Sequence, residues 1–420
     1  MRILRLTSAV EKRLLAARES SDVQAEKVAA KIIADVRRRG DPALSSWTKQ
    51  LDDIDLAREG MWVSHWEIAE APKNVSADFL RAIKHSIANV RKVAEKQLPR
   101  DWSMEVEPGV DIAQIVRPID SVGCYIPGGT STLFSTLVMT AVPAQVAGVK
   151  RIVAVCSRPS SQLLATAGLL GISEVARIGG AQAIAALAYG TRTIPRVDKI
   201  CGPGNRFVTA AKQLVSHECA IDLPAGPTEA IVIASQGKAS WIAADLLAQA
   251  EHAPDAGSIF VTTSARLGRQ VRRELAEQLK KLPEGNSARA SLKMKGAILL
   301  AASLDAAFRF VNSFAPEHLS LPQYESAKAA TLKRISAAGT VFIGPWAAQP
   351  LGDYASGSNH VLPTAGWARS RGGLSAADFV KCISVQTISR KGFARLAGDV
   401  QTLAQAENLP AHRNAVAVRG

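Results

Sequence analysis

Four of the seven histidines in this chain lie beyond residue 250, and each falls in a short polar motif. They are His252, His318, His360 and His412, and three of them have a carboxylate beside them or a few residues away. An imidazole titrates near neutral pH and is a common zinc ligand, so the combination is typical of a site that binds a metal and moves protons. The pattern predicts an enzyme.

The first motif lies at the end of a predicted helix. Residues 241–252 carry apolar side chains at helical spacing, and Gln249 and His252 lie together on another face, one turn apart. A neutral imidazole and an amide oxygen are both acceptable zinc ligands. A polar stripe that faces solvent is the alternative interpretation.

The second motif is the pair Glu317 and His318, which follows Pro316. Adjacent side chains diverge on a helix or a strand. The two could therefore act on different atoms of one substrate, one as a base for a hydroxyl group and one as a base for water. An exposed acidic residue beside an ordinary histidine is the alternative.

The last two motifs depend on tertiary structure. Asp353 and His360 lie in a glycine-spaced polar segment, for which a functional loop and a capped turn are equal explanations. Glu407 and His412 are separated by Pro410 and need not share a helix face, so an external contact must bring them together.

The elements that must position these residues change character near residue 115. Before it, patterns over residues 23–39 and 77–98 predict amphipathic helices. After it, strand and helix patterns alternate, which favours parallel sheets flanked by helices. The predicted strands are residues 122–126, 151–155, 175–178, 197–200, 220–223, 230–234, 259–262, 297–300 and 340–343.

Three further segments divide this α/β pattern. Residues 224–227 (Pro-Ala-Gly-Pro) predict a turn or hinge between two α/β units. Residues 344–373 have a loop-like composition and are too long to be without function in a compact domain. Residues 375–420 predict a helical tail.

Two glycine-containing segments follow predicted strands and precede predicted helices. They are residues 125–130 (Tyr-Ile-Pro-Gly-Gly-Thr) and 202–205 (Gly-Pro-Gly-Asn). Flexible backbone at the carboxyl end of a strand, next to a helix N-terminus, is where α/β sheets bind nucleotides and phosphates. Neither segment matches the GxGxxG pattern, and ordinary loop glycines are the alternative.

Composition argues against several other classes of protein. The 420 residues, 47% hydrophobic and 21% charged, are sufficient for about two globular domains. No apolar run is long enough for a membrane span, and no signal peptide is expected. The five cysteines lack a CxxC spacing, which favours a reducing, cytoplasmic setting over a disulfide framework or thiolate zinc site. The net charge of +14 comes from scattered residues without a nucleic-acid-binding module, so neither nucleic acid nor a membrane is an expected partner.

Taken together, these segments resemble the histidinol dehydrogenase family. The resemblance runs from about residue 115 to residue 419, with a weaker likeness in the N-terminal helices. Eight segments occur in order and at family-like spacing: residues 125–130, 179–183, 202–205, 225–229, 249–252, 315–319, 352–364 and 411–416. Eight ordered segments are far more specific than any one of them.

The resemblance implies a defined activity. The family oxidises L-histidinol to L-histidine through L-histidinaldehyde, the last two steps of histidine biosynthesis, with two NAD molecules used in succession at one site. By similarity, one zinc ion per site is held by Gln249, His252, Asp353 and His412. These four residues also belong to the expected substrate site, with Thr228, His318, His360 and Glu407. The expected NAD contacts are Tyr125, Gln182 and Asn205.

The resemblance also implies catalytic roles. Hydride transfer belongs to the cofactor, so the protein must supply bases and orientation. His318 is the expected base for the alcohol, Glu317 the expected base for the water of the aldehyde step, and zinc would anchor the imidazole and amino nitrogens of the substrate. Thr228 stands where serine is commoner in the family, and residues 346–349 replace a segment that often carries an acidic residue, so the substrate preference stays open.

The implied architecture is two Rossmann-like parallel-sheet α/β domains with a helical N-terminal region and a small helical C-terminal tail. Residues 1–124 are expected to pack with residues 229–372 as the catalytic domain, and residues 125–228 to form the dinucleotide-binding domain. Residues 373–420 are expected to be exchanged in a homodimer, so that each tail completes the neighbouring subunit's site.

Two rival functions were weighed against this interpretation. A paralogous NAD-dependent dehydrogenase that oxidises another alcohol to an acid would share Glu317, His318 and the metal ligands. Glu407 and His412 argue against it, because they are the family's imidazole-side positions. A basic binding protein that has lost catalysis is the rival from another class, and the intact Glu317-His318 pair argues against it.

Overall fold

The computed structural model describes residues 1–18, 22–128, 132–223, 226–324 and 326–420. In these ranges the strands are β1 Arg2–Arg5, β2 Trp102–Glu107, β3 Val110–Pro118, β4 Ser121–Tyr125, β5 Arg151–Val155, β6 Val175–Ala176, β7 Lys199–Cys201, β8 Ala220–Ile221, β9 Glu229–Ile233, β10 Gly257–Thr262, β11 Ala297–Leu300, β12 His318–Leu321, β13 Thr340–Ile343 and β14 Val380–Ile388. The α-helices are α1 Ser8–Ala16, α2 Val23–Arg39, α3 Asp41–Asp52, α4 Leu56–Glu59, α5 His65–Glu70, α6 Ala77–Gln97, α7 Phe134–Ala147, α8 Ser161–Leu169, α9 Gly180–Tyr189, α10 Arg206–Val215, α11 Ala239–Ala250, α12 Ala265–Lys280, α13 Ala288–Met294, α14 Leu304–Phe314, α15 Lys328–Leu332, α16 Gln349–Tyr354, α17 Arg390–Ala406 and α18 Pro410–Ala417. Short 3-10 helices cover Ala71–Asn74, Trp367–Arg369 and Ala376–Phe379.

The strands form two parallel sheets and one antiparallel ribbon. The six-stranded sheet has the order β1-β11-β10-β9-β12-β13, and the five-stranded sheet has the order β6-β5-β4-β7-β8. All pairs within these two sheets are parallel, which confirms the predicted α/β fold class. The strands predicted between residues 122 and 343 are all present, with ends displaced by at most a few residues.

Alternate side chains of the sheet strands enter two different cores. In β5, Val153 and Val155 pack with helices α2, α9 and α10 on one face. Ala154 and, just after the strand, Cys156 pack with α7 and α8 on the other face. Because both faces are covered, the strands are apolar throughout, as is usual in parallel sheets. The six-stranded sheet likewise separates two cores.

The N-terminal region is divided between the two sheets. β1 pairs with β11 of the six-stranded sheet. Helix α2 packs on α9 and α10, α5 on α8, and α6 on α7, so these helices cover the five-stranded sheet. This packing differs from the expectation that residues 1–124 as a whole pack with residues 229–372. The small buried residues Ala25 and Ala29 of α2 let it approach α9 closely, whose buried face is also rich in alanine. The predicted domain boundaries stay a prediction.

The C-terminal tail differs from the predicted purely helical segment. Its first element, β14, pairs antiparallel with β3 along its whole length, and β2 completes the ribbon. Most residues of β14 are exposed, so the strand depends on a distant pairing partner that a local pattern does not show. The predicted loop over residues 344–373 also contains α16 and a 3-10 helix. Among the described helices, we find none with the length and apolar character of a bilayer span.

Candidate active site

A cleft of about 940 Å³ opens between the two parallel sheets. Loops at the carboxyl ends of the five-stranded sheet contribute Tyr125, Gly128, Ser157 and Asn205 to its lining. The end of α11 and the helix α16 contribute Gln249, His252 and Asp353. Residues expected to bind a nucleotide and residues expected to bind a metal therefore share one cleft.

Behind the wall that Gln249 and Asp353 form lies the amino edge of the six-stranded sheet, which contacts them through Thr228 and His318. Thr228 directly precedes β9, Glu317 directly precedes β12, and His318 is the first residue of β12. β9 and β12 are neighbours in the sheet, so these three residues lie side by side. The two sheets thus meet at the cleft by opposite edges, a carboxyl edge and an amino edge.

Glu317 and His318 are both buried, which excludes the alternative of an exposed acidic residue beside an ordinary histidine. Ala315, in the left-handed conformation with φ of 52°, ends α14 and turns the chain towards β12. His318 Nδ1 lies 3.6 Å from Glu317 Oε2, and His318 Nε2 lies 3.7 Å from Asp353 Oδ1. The imidazole stacks on Phe342 with 6.0 Å between ring centroids. A buried imidazole between two carboxylates is suited to holding and passing a proton.

The charges around His318 determine its protonation. Burial by itself lowers the pKa of His318, but the negative charges of the nearby Glu317 and Asp353 carboxylates outweigh it and raise the pKa to about 10. Burial raises the pKa of Asp353, but His318 and the more distant His360 and His252 outweigh it, so the pKa is lowered. In the protein alone, His318 is therefore protonated at neutral pH and Asp353 is ionised.

Thr228 links Glu317 to Gln249. The Thr228 hydroxyl donates to Glu317 Oε2, and the backbone N–H of Glu229 donates to the same oxygen at 2.8 Å. Gln249 Nε2 donates to the Thr228 oxygen at 2.6 Å. The Thr228 hydroxyl has one proton, and it donates this proton in the hydrogen bond to Glu317. Its oxygen can therefore only accept from Gln249, so the side-chain NH2 group of Gln249 faces Thr228. The Gln249 carbonyl oxygen is then free to face the cleft.

A buried ion pair, which the sequence analysis did not identify, supports this arrangement. Arg18 Nε donates to Glu229 Oε2 at 2.8 Å, and a second guanidinium nitrogen of Arg18 bonds the other carboxylate oxygen. The guanidinium also lies 3.8 Å from the ring centroid of Phe314. Burial raises the pKa of Glu229 to about 7 although Arg18 opposes the shift, and Glu317 adds to it. The only local signal in the sequence was the position of Glu229 directly after Thr228.

Three of the four expected metal ligands line the cleft. Gln249 lies in the last turn of α11, and His252 follows just beyond the helix end. The backbone N–H of His252 donates to the backbone carbonyl oxygen of Gln249 at 3.4 Å. Asp353 faces them from α16. An amide oxygen, an imidazole and a carboxylate are a donor set that fits zinc, and a fourth ligand would complete a tetrahedron. Within the described ranges, no three His, Cys, Asp or Glu side chains are grouped closely enough to hold a metal.

His360, an expected substrate contact, is packed beside the metal-side residues. His360 Nδ1 lies 2.9 Å from the backbone carbonyl of Asp353, which can only accept, so Nδ1 carries the proton. Burial lowers the pKa of His360, which favours the neutral ring. His360 Nε2 lies 3.5 Å from the Thr136 hydroxyl.

On the nucleotide side, the structure explains the glycine-rich loop after β7. Gly202 has a φ of 118°, and a Cβ atom there would lie 2.1 Å from the Tyr125 carbonyl oxygen, so only glycine fits. Asn205 caps α10, with its Oδ1 accepting from the N–H groups of Phe207 and Val208 at 3.0 and 3.1 Å. The Tyr125 hydroxyl accepts from the Gly180 N–H at 3.1 Å. Tyr125 and Asn205 are thus both held at the cleft wall.

A buried ion pair between Lys212 and Asp222 also anchors this loop. Lys212 Nζ donates to the Gly202 carbonyl at 2.9 Å and bonds the carboxylate of Asp222. Asp222 in turn accepts from the Gly202 N–H at 2.7 Å. Both charged side chains are almost completely buried.

Gln182, the third expected nucleotide contact, is fully buried and is absent from the described lining of the cleft. Its Nε2 donates to Asp52 Oδ2 at 3.1 Å. Asp52 does line the cleft, at the end of α3, and the sequence analysis did not single it out. No local pattern marks Asp52, because α3 reaches this position only through the packing of the N-terminal helices.

The two tail residues lie apart from this cluster. Glu407 and His412 are exposed, at the end of α17 and in α18. Helix α18 packs against α17, and α17 packs against β14. One chain therefore brings together the expected residues up to His360 but not the last two.

Some sequence expectations fall outside the described residues. Gly129 and Thr130, which end the segment that begins at Tyr125, are among them, as are Pro224 and Ala225 of the expected hinge.

The comparisons with known proteins agree on one family. A family model described as histidinol dehydrogenase matches residues 15–420. The chain is 46% identical to a histidinol dehydrogenase of Methanothermobacter thermautotrophicus, over 91% of this chain and 90% of that protein. It is 43% identical to the Escherichia coli histidinol dehydrogenase, over 92% of this chain and 89% of that protein. The crystal structure of histidinol dehydrogenase from Elizabethkingia anophelis superimposes with a TM-score of 0.92 at 37% identity, covering 99% of this chain and 96% of that one.

Proposed function

This chain belongs to the histidinol dehydrogenase family and is an oxidoreductase, and we propose that it oxidises L-histidinol to L-histidine through L-histidinaldehyde, with two NAD molecules and one zinc ion per site. This is the last part of histidine biosynthesis. The observation that carries the proposal is the buried Glu317-His318 pair. It lies directly behind Asp353 and Gln249, which line the same cleft as the nucleotide-side loops.

In the first step, His318 is the base for the alcohol. The hydroxyl proton passes to the imidazole while the hydrogen on the carbinol carbon leaves as a hydride to the nicotinamide ring, and the aldehyde forms. The ring stacks on Phe342 and lies between the two carboxylates, at 3.6 and 3.7 Å from their nearest oxygens. The burial of His318 keeps bulk water away from this transfer.

In the second step, Glu317 is the base for water. The water adds to the aldehyde carbon and gives a proton to Glu317, and the hydrate then releases a second hydride to a second NAD. Thr228 and the Glu229 N–H fix one carboxylate oxygen of Glu317. The overall balance consumes one water and two NAD and releases three protons with the carboxylate product.

The metal would be held by Gln249, His252 and Asp353 of one chain and by His412. When bound, it supplies a charge that anchors the nitrogen atoms of the substrate. The orientation of the Gln249 amide, which leaves its oxygen free, supports this assignment. A base must be neutral to accept a proton, and a cation at Asp353 offsets one of the charges that keep His318 protonated.

The NAD molecules are proposed to bind at the carboxyl edge of the five-stranded sheet. Tyr125 and Asn205 line the cleft there and are positioned by backbone hydrogen bonds. Gln182 is outside the described lining of the cleft, and we propose that it contributes indirectly, by its hydrogen bond to Asp52, which does line it.

A homodimer with exchanged tails is proposed to complete each site. In the ribbon, Trp102, Met104, Val106, Ile383, Val385 and Ile388 are exposed, and in the tail helices Val400, Leu403, Leu409 and Val418 are exposed. Apolar surface on this scale favours association. Docking of the tail on a second subunit would bring Glu407 and His412 to the substrate and the metal. A cytoplasmic setting is proposed as well, since four of the five cysteines are buried free thiols.

The first test is the stoichiometry of the reaction. Purified zinc-loaded protein should form two NADH for each L-histidinol consumed. Chelation should abolish activity and zinc should restore it, and His252→Ala should lower the metal content, whereas the exposed surface variant His217→Ala should not. One NADH per L-histidinol, or full activity in metal-free protein, would contradict the proposal.

A further inference from the structure

The five-stranded sheet has a topological switch point at the cleft. Its order β6-β5-β4-β7-β8 places the first strand of the unit, β4, between β5 and β7, so successive connections run to opposite sides of β4. In open parallel sheets a dinucleotide binds at the carboxyl ends of the strands at such a point. In the usual arrangement an acidic residue near the end of the second strand accepts a hydrogen bond from the ribose 2′-hydroxyl.

In this chain the second strand supplies no such carboxylate. The residue that follows β5 and Cys156 is Ser157, which is buried and lines the cleft. The carboxylate of Asp52 stands beside it, since a Cβ placed on Gly179 would lie 3.0 Å from Ser157 Cβ and 3.7 Å from Asp52 Oδ1. Asp52 comes from α3, in the N-terminal helical region, and packs here from outside the sheet unit.

The position of Asp52 is unfavourable for folding alone. It is the last residue of α3, where the helix dipole is negative and a carboxylate is disfavoured. Burial raises the pKa of Asp52, although Ser157, Arg158 and Gln182 oppose the shift. Within the described residues, its carboxylate is part of no salt bridge. Gln182 and Ser157 use two of the roughly four acceptor positions of the carboxylate, and Asp52 lines the cleft, so acceptor capacity remains for a ligand there.

We propose that Asp52, positioned by Gln182, accepts a hydrogen bond from the 2′-hydroxyl of the adenosine ribose of the dinucleotide and makes the protein selective for NAD over NADP. The inference rests on the proposed use of NAD. Asp52 is a specificity residue in this reading, because a 2′-phosphate would bring negative charge against its carboxylate. Nearby, Arg158 donates to the backbone carbonyl of Asp52 at 2.6 Å. Arg158 would meet a 2′-phosphate once the acidic charge is removed.

The experiment measures binding of NADH, NADPH and the 2′-deoxyadenosine analogue of NADH to the full-length zinc-loaded protein by fluorescence titration. The wild-type protein should bind NADH about 10- to 100-fold more tightly than the analogue, the factor expected for a hydrogen bond to a charged group. Asp52→Asn should lose most of that preference and should bind NADPH relatively better. The control is Asp53→Asn, because Asp53 is exposed, is outside the cleft lining and has a left-handed φ of 54° that asparagine tolerates.

The outcomes separate this inference from the proposed function. Equal binding of NADH and the analogue by the wild-type protein overturns the role of Asp52 without any variant, so a misfolded variant cannot hide the result. An Asp52→Asn protein with unchanged kcat/KM ratio for NAD over NADP also overturns it. If the preference for NADH is present and depends on Asp52 but L-histidinol is not oxidised, the inference stands and the proposed substrate fails.

Discussion

The two parallel sheets meet at the cleft by opposite edges, and the edges differ in chemistry. The carboxyl edge of the five-stranded sheet presents backbone groups and neutral side chains such as Tyr125 and Asn205. The amino edge of the six-stranded sheet holds the buried residues Glu229, Glu317 and His318 behind the cleft wall. In the proposed mechanism, the usual rule for ligand sites in α/β sheets applies to the five-stranded sheet only, and the other sheet supplies the groups that transfer protons at its amino edge.

The largest effect is expected from the charged edge. Removal of a general base costs roughly 10²- to 10⁴-fold in rate. His318→Asn should damage the oxidation of L-histidinol much more than that of L-histidinaldehyde, and Glu317→Gln should damage the aldehyde step more. Single-turnover NADH formation with each substrate measures the two steps, and equal losses in both steps for both variants would contradict the division of roles.

A second large effect is expected if each active site needs the C-terminal tail of the other subunit. His252→Ala and His412→Ala should each be inactive, since each loses a proposed metal ligand. After subunit exchange, a heterodimer contains one site with both lesions and one with neither, so activity should return to at most about half that of a wild-type dimer. No recovery after demonstrated exchange would show that each tail serves its own chain.

Loss of the ion pair between Arg18 and Glu229, at the amino edge of the six-stranded sheet, should lower the free energy of unfolding. Arg18→Met leaves Glu229 buried without its partner, and such a loss destabilises a protein by about 3–5 kcal/mol. Arg81→Met removes the exposed pair with Asp78 and should cost less than about 1 kcal/mol. Urea denaturation of both variants measures the difference, and similar values for the two would mean that the buried pair has little importance.

The buried charges around His318 should also make the stability of the protein depend on pH. In metal-free protein the pKa of His318 is raised to about 10, above its unfolded value, so its stabilising contribution is complete below about pH 6.5 and is lost as the pH rises towards 10. The slope is at most about 1.4 kcal/mol per pH unit, because one proton is involved. His318→Asn should flatten the fall in unfolding free energy between pH 7 and pH 10, and an unchanged slope would contradict this assignment.

The smallest effect is expected from the neutral edge. Asn205→Ala removes the cap of α10, and a lost cap costs typically about 1 kcal/mol. Its rate effect should appear as a higher KM for NAD with kcat nearly unchanged, because Asn205 touches no reacting atom in the proposed mechanism. Asn205→Ser retains a capping oxygen and should restore stability. A large loss of kcat in Asn205→Ala would contradict the prediction that the carboxyl edge of the five-stranded sheet contributes to NAD binding and not to the chemical step.

Local sequence was sufficient for the α/β alternation. In the buried strands and the amphipathic helices, the spacing of apolar residues shows which side chains face the core. The predicted bounds of these elements therefore agree with the structure within a few residues. The ordered motifs around Gln249, Glu317 and Asp353 contain side chains that the structure brings close together, and their roles stay predictions. Strand β14 escaped prediction because its stability comes from pairing with β3, far away in the chain.

The residues that support the motif side chains became visible only in the folded protein. Arg18 and Asp52 come from N-terminal helical segments with no motif of their own, yet one neutralises Glu229 and the other reaches the cleft beside Ser157. Side-chain charge and hydrogen bonding act over a few ångströms in space, whereas sequence patterns report neighbours along the chain. The amino acid sequence therefore determined the chemistry of the site, and the packing of distant segments determined which groups orient it.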